Sequence, residues 1–370
     1  MGRGMRAAVF EGVGKVEVGD VDIEDPRPGE VLVKVTDCGV CHSDLSVVDG
    51  SLPGPTPTVL GHEAAGTVEA VGSGVTTLRP GDKAVLTPLP ACGRCYFCTR
   101  GQPTLCAEYS PALFLNSRPD GTTPLSRDGQ PVFRGLGVGG WAEYAVLPQE
   151  GVVKVDDEVD LADACVIGCA VQTGVGAVLN TARVEEGATV VVLGAGGIGI
   201  AVTQGARLAG ASVIVAVDPV AERREAALRF GATHAIDPGE TDVQTFCFDL
   251  TAVGMDYAFE AAGQAALIEQ GITAVRPGGT IVCVGAPPVA QGISIPMVVG
   301  FTATEKRLIG CLLGSVHAQR DIPRFLALAQ AGRLDLGAMI TDRYPLDRVA
   351  DAVDNLAQRR GIRTALTIAG

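Results

Sequence analysis

Short apolar runs, broken by glycine and proline, fill much of the first quarter of the chain. They cover residues 6–10, 30–36, 66–71 and 83–86, and each run contains valine. Apolar runs of this length between turn-forming residues are typical of β-strands, because branched side chains pack well on a pleated surface. We therefore predict a β-rich region here.

The pattern is lost between residues 107 and 140. No helical or strand period is sustained in this segment. Turn-forming residues interrupt it throughout: Ser110, Pro111, Asn116, Pro119, Asp120, Gly121, Asp128 and Gly129. This composition predicts a long irregular excursion from the β-rich region.

Strand-like and helical runs begin to alternate near residue 170, which indicates βαβ units around a parallel sheet. Helices are expected up to about residue 209 and over 221–230. Strands are expected at 189–193, 212–217, 256–259, 280–284 and 307–312. We predict a six-stranded doubly wound sheet.

The last part of the chain, from about residue 313, mixes a helix over 322–331 with short strands that end at 363–368. We expect this part to return to the first domain. The predicted domains are therefore 1–170 together with 313–370, and 171–312. A length of 370 residues fits two domains, and 47% hydrophobic and 19% charged residues are ordinary for a globular α/β protein.

Charge restricts the partners of this chain. It has 29 basic and 42 acidic residues and a net charge of −13, which opposes binding to nucleic acid or to an anionic membrane. No basic and apolar leader opens the chain, and no apolar stretch reaches the roughly 18 residues that a membrane span needs. We expect a cytoplasmic protein.

A glycine fingerprint follows the strand predicted at 189–193. Gly194-Ala195-Gly196-Gly197-Ile198-Gly199 fits G-x-G-x-x-G at the start of a helix, and Asp218 ends the next predicted strand. Such a turn admits a pyrophosphate to a helix N-terminus, and the aspartate accepts hydrogen bonds from the adenosine ribose. Because a carboxylate repels a 2′-phosphate, NAD is favoured over NADP. Arg223 is a further candidate for a ribose or phosphate contact.

Four of the eleven cysteines are concentrated in one short segment, namely Cys92, Cys95, Cys98 and Cys106. Four thiolates with this spacing can surround one tetrahedral Zn²⁺ and leave no open position, which is typical of a structural site. Iron–sulfur ligation and a redox relay are the competing interpretations.

A second set of potential ligands is dispersed along the chain: Cys41-His42-Ser43-Asp44, Gly61-His62-Glu63 and Gly168-Cys169. Cysteine and histidine are the ligands of catalytic zinc sites that keep one position open. Spacing alone does not join these segments, because each residue is also compatible with an ordinary core position.

The chain resembles the zinc-dependent medium-chain alcohol dehydrogenases over nearly its whole length. The resemblance rests on motifs that occur in the family's order: Cys41-His42-Ser43-Asp44, Gly61-His62-Glu63-Ala64-Ala65-Gly66, the four-cysteine segment, Gly168-Cys169 with Thr173-Gly174, the glycine fingerprint with Asp218, and Gly361-Ile362-Arg363-Thr364. It implies a GroES-like β-barrel catalytic domain with an inserted Rossmann domain, hence an α/β fold.

The resemblance also implies which residues carry the chemistry. Cys41, His62 and Cys169 would hold the catalytic zinc, and Ser43 would accept the proton of the alcohol. The cofactors would be two Zn²⁺ per chain and NAD, and hydride would pass reversibly between a primary alcohol and NAD to give the aldehyde.

Other residues would support this site. By the same resemblance, Asp44 would orient the ligand histidine, and Glu63 would lie near the zinc. His42 and Arg363 would contact the cofactor pyrophosphate, and Thr173 would pack near the nicotinamide.

Four positions depart from the family pattern. Ser46 stands where many relatives have a histidine that relays the proton to solvent. Pro88 and Gly135 stand where animal liver enzymes have bulky aromatic residues, which predicts a wider pocket and aromatic or larger aliphatic alcohols as substrates. Ser110 stands where the thiol-adduct formaldehyde enzymes have an arginine, which disfavours glutathione-dependent activity.

Other functions remain open from the sequence. A thiol-adduct formaldehyde dehydrogenase or a polyol dehydrogenase would have the same fold, and a nicotinoprotein would keep its NAD bound. The excursion at 107–140 resembles the insertion of the dimeric branch, so a homodimer is expected. A non-catalytic zinc- and nucleotide-binding protein is disfavoured by the complete ligand set, and a zinc-independent quinone reductase lacks these ligands.

Overall fold

The computed structural model describes residues 3–295 and 297–368. The chain divides into two compact units, one made of the residues up to Cys169 together with those from His317 onward, and the other of Ala170–Val316. Within the described residues, no single helix is both long enough and apolar enough to cross a membrane.

Most of the β-structure lies in the first unit. In chain order, the strands are β1 (Arg3–Gly12), β2 (Lys15–Ile23), β3 (Glu30–Val40), β4 (Thr58–Val59), β5 (Glu63–Val71), β6 (Lys83–Leu86), β7 (Leu125–Arg127), β8 (Gln130–Arg134), β9 (Tyr144–Pro148), β10 (Val152–Lys154), β11 (Thr189–Leu193), β12 (Val213–Val217), β13 (His234–Ile236), β14 (Met255–Glu260), β15 (Val275–Cys283), β16 (Arg307–Gly310), β17 (Ile340–Pro345) and β18 (Arg363–Thr367).

The α-helices are short before residue 190, and most of those that follow are longer. In chain order, they are α1 (His42–Val48), α2 (Ser110–Leu115), α3 (Leu161–Ala164), α4 (Ala170–Gly176), α5 (Gly197–Ala209), α6 (Ala221–Arg229), α7 (Val243–Thr251), α8 (Ala265–Ala274), α9 (Val298–Ala303), α10 (Ala318–Gln330) and α11 (Val349–Ala357). A π-helical segment, Ala177–Ala182, continues α4.

The first unit contains a closed barrel and a larger sheet. The barrel has the strand order β1-β2-β7-β8-β4, and the sheet has the order β10-β6-β5-β3-β18-β17, with β9 also paired to β3. Strand β18 comes from the end of the chain and pairs antiparallel with β3, Thr364 lying opposite Val40. The core of the unit includes Trp141, which is fully buried.

The excursion at 107–140 is more regular than predicted. It contains the helix α2 and the hairpin of β7 and β8, in which Arg127 lies opposite Gln130. The two residues between them, Asp128 and Gly129, both have positive φ (52° and 73°). Asp-Gly in such a turn matches the right-handed twist of a hairpin. The prediction of an irregular segment was wrong because these turn formers mark the ends of short elements.

The second unit has the predicted six-stranded doubly wound sheet. All its strands are parallel, in the order β13-β12-β11-β14-β15-β16. Strands β11 and β12 are almost wholly apolar, as expected of strands that are covered on both faces. The α/β fold class is confirmed. The short strand β13, which begins at His234, was not among the predicted strands.

The strand order places one edge of this sheet at a switch point. Strands β11 and β14 are neighbours, and the chain runs outward from them in opposite directions, through β12 on one side and β15 on the other. The carboxyl ends of such a strand pair leave a crevice in which α/β proteins bind their ligands. The glycine fingerprint begins directly after β11.

Candidate active site and metal centres

Two cysteines and a histidine from distant parts of the sequence meet in the first unit. The side-chain donor atoms of Cys41, His62 and Cys169 lie within 4.8 Å of one another, and all three residues are buried. Cys41 follows β3 and His62 precedes β5, and these strands pair antiparallel with Gly39 opposite Glu63. The sheet register thus brings the first two donors together.

The third donor reaches the sheet through a close backbone approach. Cys169 follows a 3₁₀ turn, Cys165–Gly168. A Cβ atom built on Gly168 would lie 2.6 Å from the Leu86 carbonyl oxygen and 3.4 Å from the Cα of Glu63. Only glycine fits at this distance, and it allows Cys169 to stand beside the start of β5.

Asp44 holds the histidine and the first cysteine in place. Its carboxylate accepts hydrogen bonds from the backbone N–H groups of Cys41 and Gly61, both at 3.0 Å, and lies 3.2 Å from His62 Nδ1. It is fully buried in α1. Because Nδ1 faces this carboxylate, Nε2 is the nitrogen left for a metal ion.

The electrostatics of the three donors suit a divalent cation. A hydrogen bond from Cys169 lowers the pKa of Cys41 well below its usual value, and the same shared proton together with burial raises the pKa of Cys169. Burial opposes protonation of His62, but Asp44 and Cys41 outweigh it and raise the pKa of His62. A thiolate that shares a proton with a second thiol, beside an imidazole, belongs to a donor set that zinc binds with release of that proton.

A buried ion pair supports the cluster. Arg363 Nη2 donates to Glu63 Oε1 at 2.7 Å, and the two side chains are 4% and 0% exposed. Burial opposes the charge of Arg363, but Glu63 and the thiolates of Cys41 and Cys169 keep its pKa well above the ordinary value. The structure therefore joins two residues to which the resemblance gave separate roles.

The remaining catalytic candidates lie around Cys41. Ser43 Oγ is 3.9 Å from Cys41 Sγ, and Ser43 is half-buried. His42 is exposed at the first residue of α1. Ser46 is half-buried, and its backbone carbonyl accepts a hydrogen bond from Ser51 Oγ at 3.3 Å.

Gly135 does not open a pocket. A Cβ atom built on it would lie 2.6 Å from the Val59 carbonyl oxygen and 2.9 Å from Leu60 Cδ2. The space beside this glycine is filled by backbone and by a leucine, and Pro88 is buried. The expectation that these two residues widen the substrate channel was therefore wrong at Gly135, because the glycine serves close packing.

The four-cysteine segment folds into a second compact set of donors. The sulfur atoms of Cys92, Cys95, Cys98 and Cys106 lie within 4.8 Å of one another. Backbone N–H groups of Cys98 and Ala107 point at Cys95 Sγ, both at 3.5 Å, and lower the pKa of Cys95 to about 6. Four sulfurs in one cluster, with a thiolate already stabilised, fit a closed tetrahedral zinc site.

Replacement of one sulfur in this cluster should mainly destabilise the protein. We expect Cys98→Ser to lower the Tm by roughly 10 °C, since a lost ligand weakens a site that contributes several kcal/mol to folding. Thermal unfolding and zinc analysis measure this, with Thr99→Ala as the control in the same segment. An unchanged Tm with an unchanged zinc content would contradict the assignment.

The glycines of the turn in the second unit differ in backbone conformation and in the atoms that a side chain would meet. Gly194 has a φ of 100°. A Cβ atom on Gly196 would have only Arg223 Nη1 nearby, at 3.7 Å, so space is open above it. A Cβ atom on Gly199 would lie 1.8 Å from the Gly194 carbonyl oxygen. Gly197 and Ile198 form the first turn of α5. These features suit a turn that a phosphate approaches closely.

Asp218 closes the next strand and holds the glycine turn. Its Oδ2 accepts a hydrogen bond from Ala195 N–H at 2.8 Å, and its Oδ1 accepts one from Val220 N–H at 2.9 Å. The carboxylate is 4% exposed and can still accept further hydrogen bonds from a ribose. Thr173 lies in α4 of the same unit and is buried.

Sequence reasoning missed one carboxylate near this turn. Glu260 ends β14, the strand beside β11, and is fully buried. The signal was present in the sequence, because an acidic residue closes an otherwise largely apolar strand at the carboxyl edge of a parallel sheet.

Family models match both parts of the chain. The model described as "Alcohol dehydrogenase GroES-like domain" matches residues 27–157, and the model described as "Zinc-binding dehydrogenase" matches residues 197–331. The expected GroES-like and Rossmann domains are confirmed by these matches together with the parallel sheet.

Curated and solved proteins are similar over the full length. The chain is 37% identical to an S-(hydroxymethyl)glutathione dehydrogenase of Escherichia coli O1:K1, over 98% of this chain and 99% of that protein. A solved alcohol dehydrogenase zinc-binding domain protein from Burkholderia ambifaria has a TM-score of 0.95 at 36% identity, with both chains fully covered. A solved benzyl alcohol dehydrogenase from Acinetobacter calcoaceticus has a TM-score of 0.93 at 32% identity, over 99% of this chain and 100% of that one.

Some solved neighbours contain a nicotinamide cofactor. A zinc-binding dehydrogenase from Sinorhizobium meliloti 1021, bound to NADP, has a TM-score of 0.83 at 28% identity and covers 99% of this chain and all of its own. An alcohol dehydrogenase from Escherichia coli CFT073 in complex with NADH has a TM-score of 0.82 at 26% identity, with the same coverage.

Proposed function

The chain belongs to the zinc-dependent medium-chain alcohol dehydrogenase family, and on this premise we propose that it transfers hydride reversibly between a primary alcohol and NAD. The class of enzyme, an alcohol oxidoreductase that acts on a small alcohol or aldehyde, follows from its relatives. The choice of NAD and of the primary alcohol is our proposal.

The single observation behind the proposal is the cluster of Cys41, His62 and Cys169. Three protein donors leave a fourth tetrahedral position open, whereas the four sulfurs of the other cluster leave none. We therefore assign the catalytic zinc to the three-donor cluster and a structural zinc to the four cysteines, two ions per chain. When bound, zinc acts as a Lewis acid on an oxygen of the substrate, and NAD accepts the hydride.

The chain's own residues would then orient the ion and move a proton. Asp44 fixes His62 through Nδ1, and the Glu63–Arg363 pair places a positive charge beside the two thiolates. Ser43 Oγ, 3.9 Å from Cys41 Sγ, would accept the proton of the alcohol. Because the next candidate along α1 is Ser46 rather than a histidine, we propose that the proton leaves through water.

Asp218 would select NAD over NADP, because a 2′-phosphate would meet its carboxylate. We expect Asp218→Ala to raise kcat/KM for NADP relative to NAD by about a hundredfold, which corresponds to roughly 2.7 kcal/mol of relieved repulsion and lost ribose hydrogen bonds. Steady-state kinetics with both cofactors measure this ratio, with Asp249→Ala on α7 as the control. An unchanged ratio would contradict the role of Asp218.

Aromatic and larger aliphatic primary alcohols are the proposed substrates. The support is the similarity to the Acinetobacter benzyl alcohol dehydrogenase rather than the packing at Gly135. The test is NADH formation across ethanol, long-chain alcohols and benzyl alcohol. We expect a higher kcat/KM for benzyl and long-chain alcohols, and a preference for ethanol would overturn this choice.

Oxidation of a formaldehyde–glutathione adduct is the second candidate. The similarity to the S-(hydroxymethyl)glutathione dehydrogenase of Escherichia coli favours it. Ser110 argues against it, because its hydroxyl is used within the fold, donating to the Thr104 carbonyl oxygen at 2.8 Å. Formaldehyde assayed with and without glutathione separates the two, and polyols in the same assay test the third substrate class.

We also propose a cytoplasmic homodimer. In the described part of the second unit, β16 is the last strand of the sheet and pairs only with β15. Val289, Val298 and Val299 are exposed in the same unit, at 65% or more. Size-exclusion chromatography with light scattering tests the dimer, and NAD that remains bound after gel filtration would support the nicotinoprotein alternative.

A further inference from the structure

Glu260 lies at the edge of the second unit where the cofactor is proposed to bind, and the inference therefore rests on the proposed function. It is the last residue of β14 and lies opposite Leu193, the last residue of β11. The fingerprint glycine Gly194 comes next in the chain. The Glu260 side chain is fully buried.

One carboxylate oxygen organises the turn after β14. Glu260 Oε1 accepts hydrogen bonds from the backbone N–H groups of Ala262 at 2.8 Å, Gly263 at 2.6 Å and Gln264 at 3.2 Å. Three successive N–H groups are thus tied to one atom. Because these three N–H groups share Oε1 as their side-chain acceptor, the shape of the turn depends on that atom.

The same residue links two further turns at this edge. The Glu260 carbonyl oxygen accepts hydrogen bonds from Val284 N–H at 3.0 Å and Gly285 N–H at 2.9 Å, which begin the turn after β15. On the other side, Ala261 N–H donates to the Leu193 carbonyl oxygen at 2.9 Å. The Cβ of Ala262 lies 2.9 Å from a Cβ built on Gly194. Glu260 therefore stands at the junction of the turns that follow β11, β14 and β15.

Burial of the Glu260 carboxylate lowers the free energy of unfolding and is not explained by stability. Glu260 Oε2 is buried and has no hydrogen-bond partner in the described structure, and no cation pairs with it among the described ion pairs. Burial raises the pKa of Glu260 even though the N–H groups oppose this. A Cβ built on Gly285 would lie 2.6 Å from Oε2. Buried polar atoms that lack a partner and so lower the stability of the fold are concentrated at functional sites.

We propose that Glu260 is a positioning residue for dinucleotide binding, in which its carboxyl group fixes the three turns that form the cofactor edge of the sheet. It does not need to touch the cofactor. Its effect is to keep the turns after β14 and β15 in the shape that the bound dinucleotide requires, so that binding does not have to order them.

Two variants and one matched control test this in the full-length, zinc-replete enzyme. Glu260→Ala removes the acceptor of three N–H groups, whereas Glu260→Gln keeps an oxygen at Oε1. Asp256→Ala is the control, because Asp256 lies at the opposite end of the same strand and accepts from Thr189 N–H at 2.7 Å and from Arg276 Nε at 2.7 Å. It therefore removes a comparable structural carboxylate far from the proposed edge.

The readouts are the Kd for NADH by fluorescence titration, the KM for NAD against kcat, and the Tm. We expect Glu260→Ala to weaken NADH binding by at least about tenfold and to raise the KM for NAD far more than it lowers kcat. Glu260→Gln should stay within about threefold of the wild type. Asp256→Ala should lower the Tm without changing the Kd.

The outcomes separate this inference from the proposed function. If the wild type does not bind NADH, the proposed function fails and the inference with it. If the wild type binds NADH and Glu260→Ala binds equally well, or Asp256→Ala loses as much affinity, the inference alone is overturned. If Glu260→Ala does not fold, Glu260→Asp takes its place, because its side chain is one methylene shorter and its carboxylate is drawn back from the three N–H groups. Wild-type affinity for NADH in Glu260→Asp would then overturn the inference.

Discussion

Cys41→Ser should lower kcat/KM for alcohol oxidation by about a thousandfold or more, because several kcal/mol of transition-state stabilisation are lost with the proposed Lewis acid. Serine keeps the size of the side chain but replaces a soft thiolate by a hydroxyl that does not ionise near neutral pH. The remaining donors, His62 and Cys169, would hold zinc weakly. NADH binding should survive, because the glycine turn belongs to the other unit.

The measurements are kcat/KM, zinc content and the Kd for NADH. Zinc should fall from about two ions per chain to about one. Cys38→Ala is a suitable control, because Cys38 is a fully buried thiol in β3, the strand that Cys41 follows, and among the described contacts it donates to the neighbouring Gly39 carbonyl oxygen. Full alcohol oxidation by Cys41→Ser would show that the ligand is wrongly assigned.

Gly196→Ala should abolish most cofactor binding while leaving stability almost unchanged. The backbone at Gly196 has a φ of −74°, which alanine adopts without strain, and a Cβ there meets only Arg223 Nη1 at 3.7 Å. The methyl group would stand in the space that a pyrophosphate needs next to the backbone. We expect the Kd for NADH to rise by about a hundredfold, or roughly 2.7 kcal/mol.

Gly199→Ala provides the contrast within the same turn. Its Cβ would lie 1.8 Å from the Gly194 carbonyl oxygen, so helix α5 would have to move away from β11. The cost of overpacking, about 1–3 kcal/mol, exceeds the helix propensity that alanine adds. We expect both the Tm and NADH affinity to fall. Calorimetry and titration of the two variants test this, and wild-type affinity in Gly196→Ala would exclude the proposed pyrophosphate site.

Local patterns predicted the second unit well. Apolar runs such as Val213–Val217 are long enough to be recognised, and a glycine turn between a strand and a helix has a strong physical meaning. The short strand β13 was missed because His234–Ile236 has only three residues and carries no periodicity of its own. Its position is set by its pairing with β12.

Contacts between distant residues could not be predicted from local patterns. Glu63 and Arg363 are 300 positions apart, and neither the length nor the composition of the intervening chain indicates that they pair. The resemblance supplied both residues but not the contact between them. Gly135 shows the opposite problem, since a small residue was taken as empty space although packed backbone fills it.

Strand β18 has a consequence for how the enzyme matures in the cell. It pairs with β3 immediately before Cys41, and it begins with Arg363, whose charge lies beside the two thiolates. All three donors have been synthesised once Cys169 has been added to the chain. Strand β18 and Arg363 leave the ribosome only after the entire inserted unit has been synthesised. A nascent chain therefore has the three donors but lacks the strand and the arginine that support them. Stable acquisition of the catalytic ion should accordingly be a post-translational event, and C-terminal truncations that remove β18 should yield protein deficient in that ion.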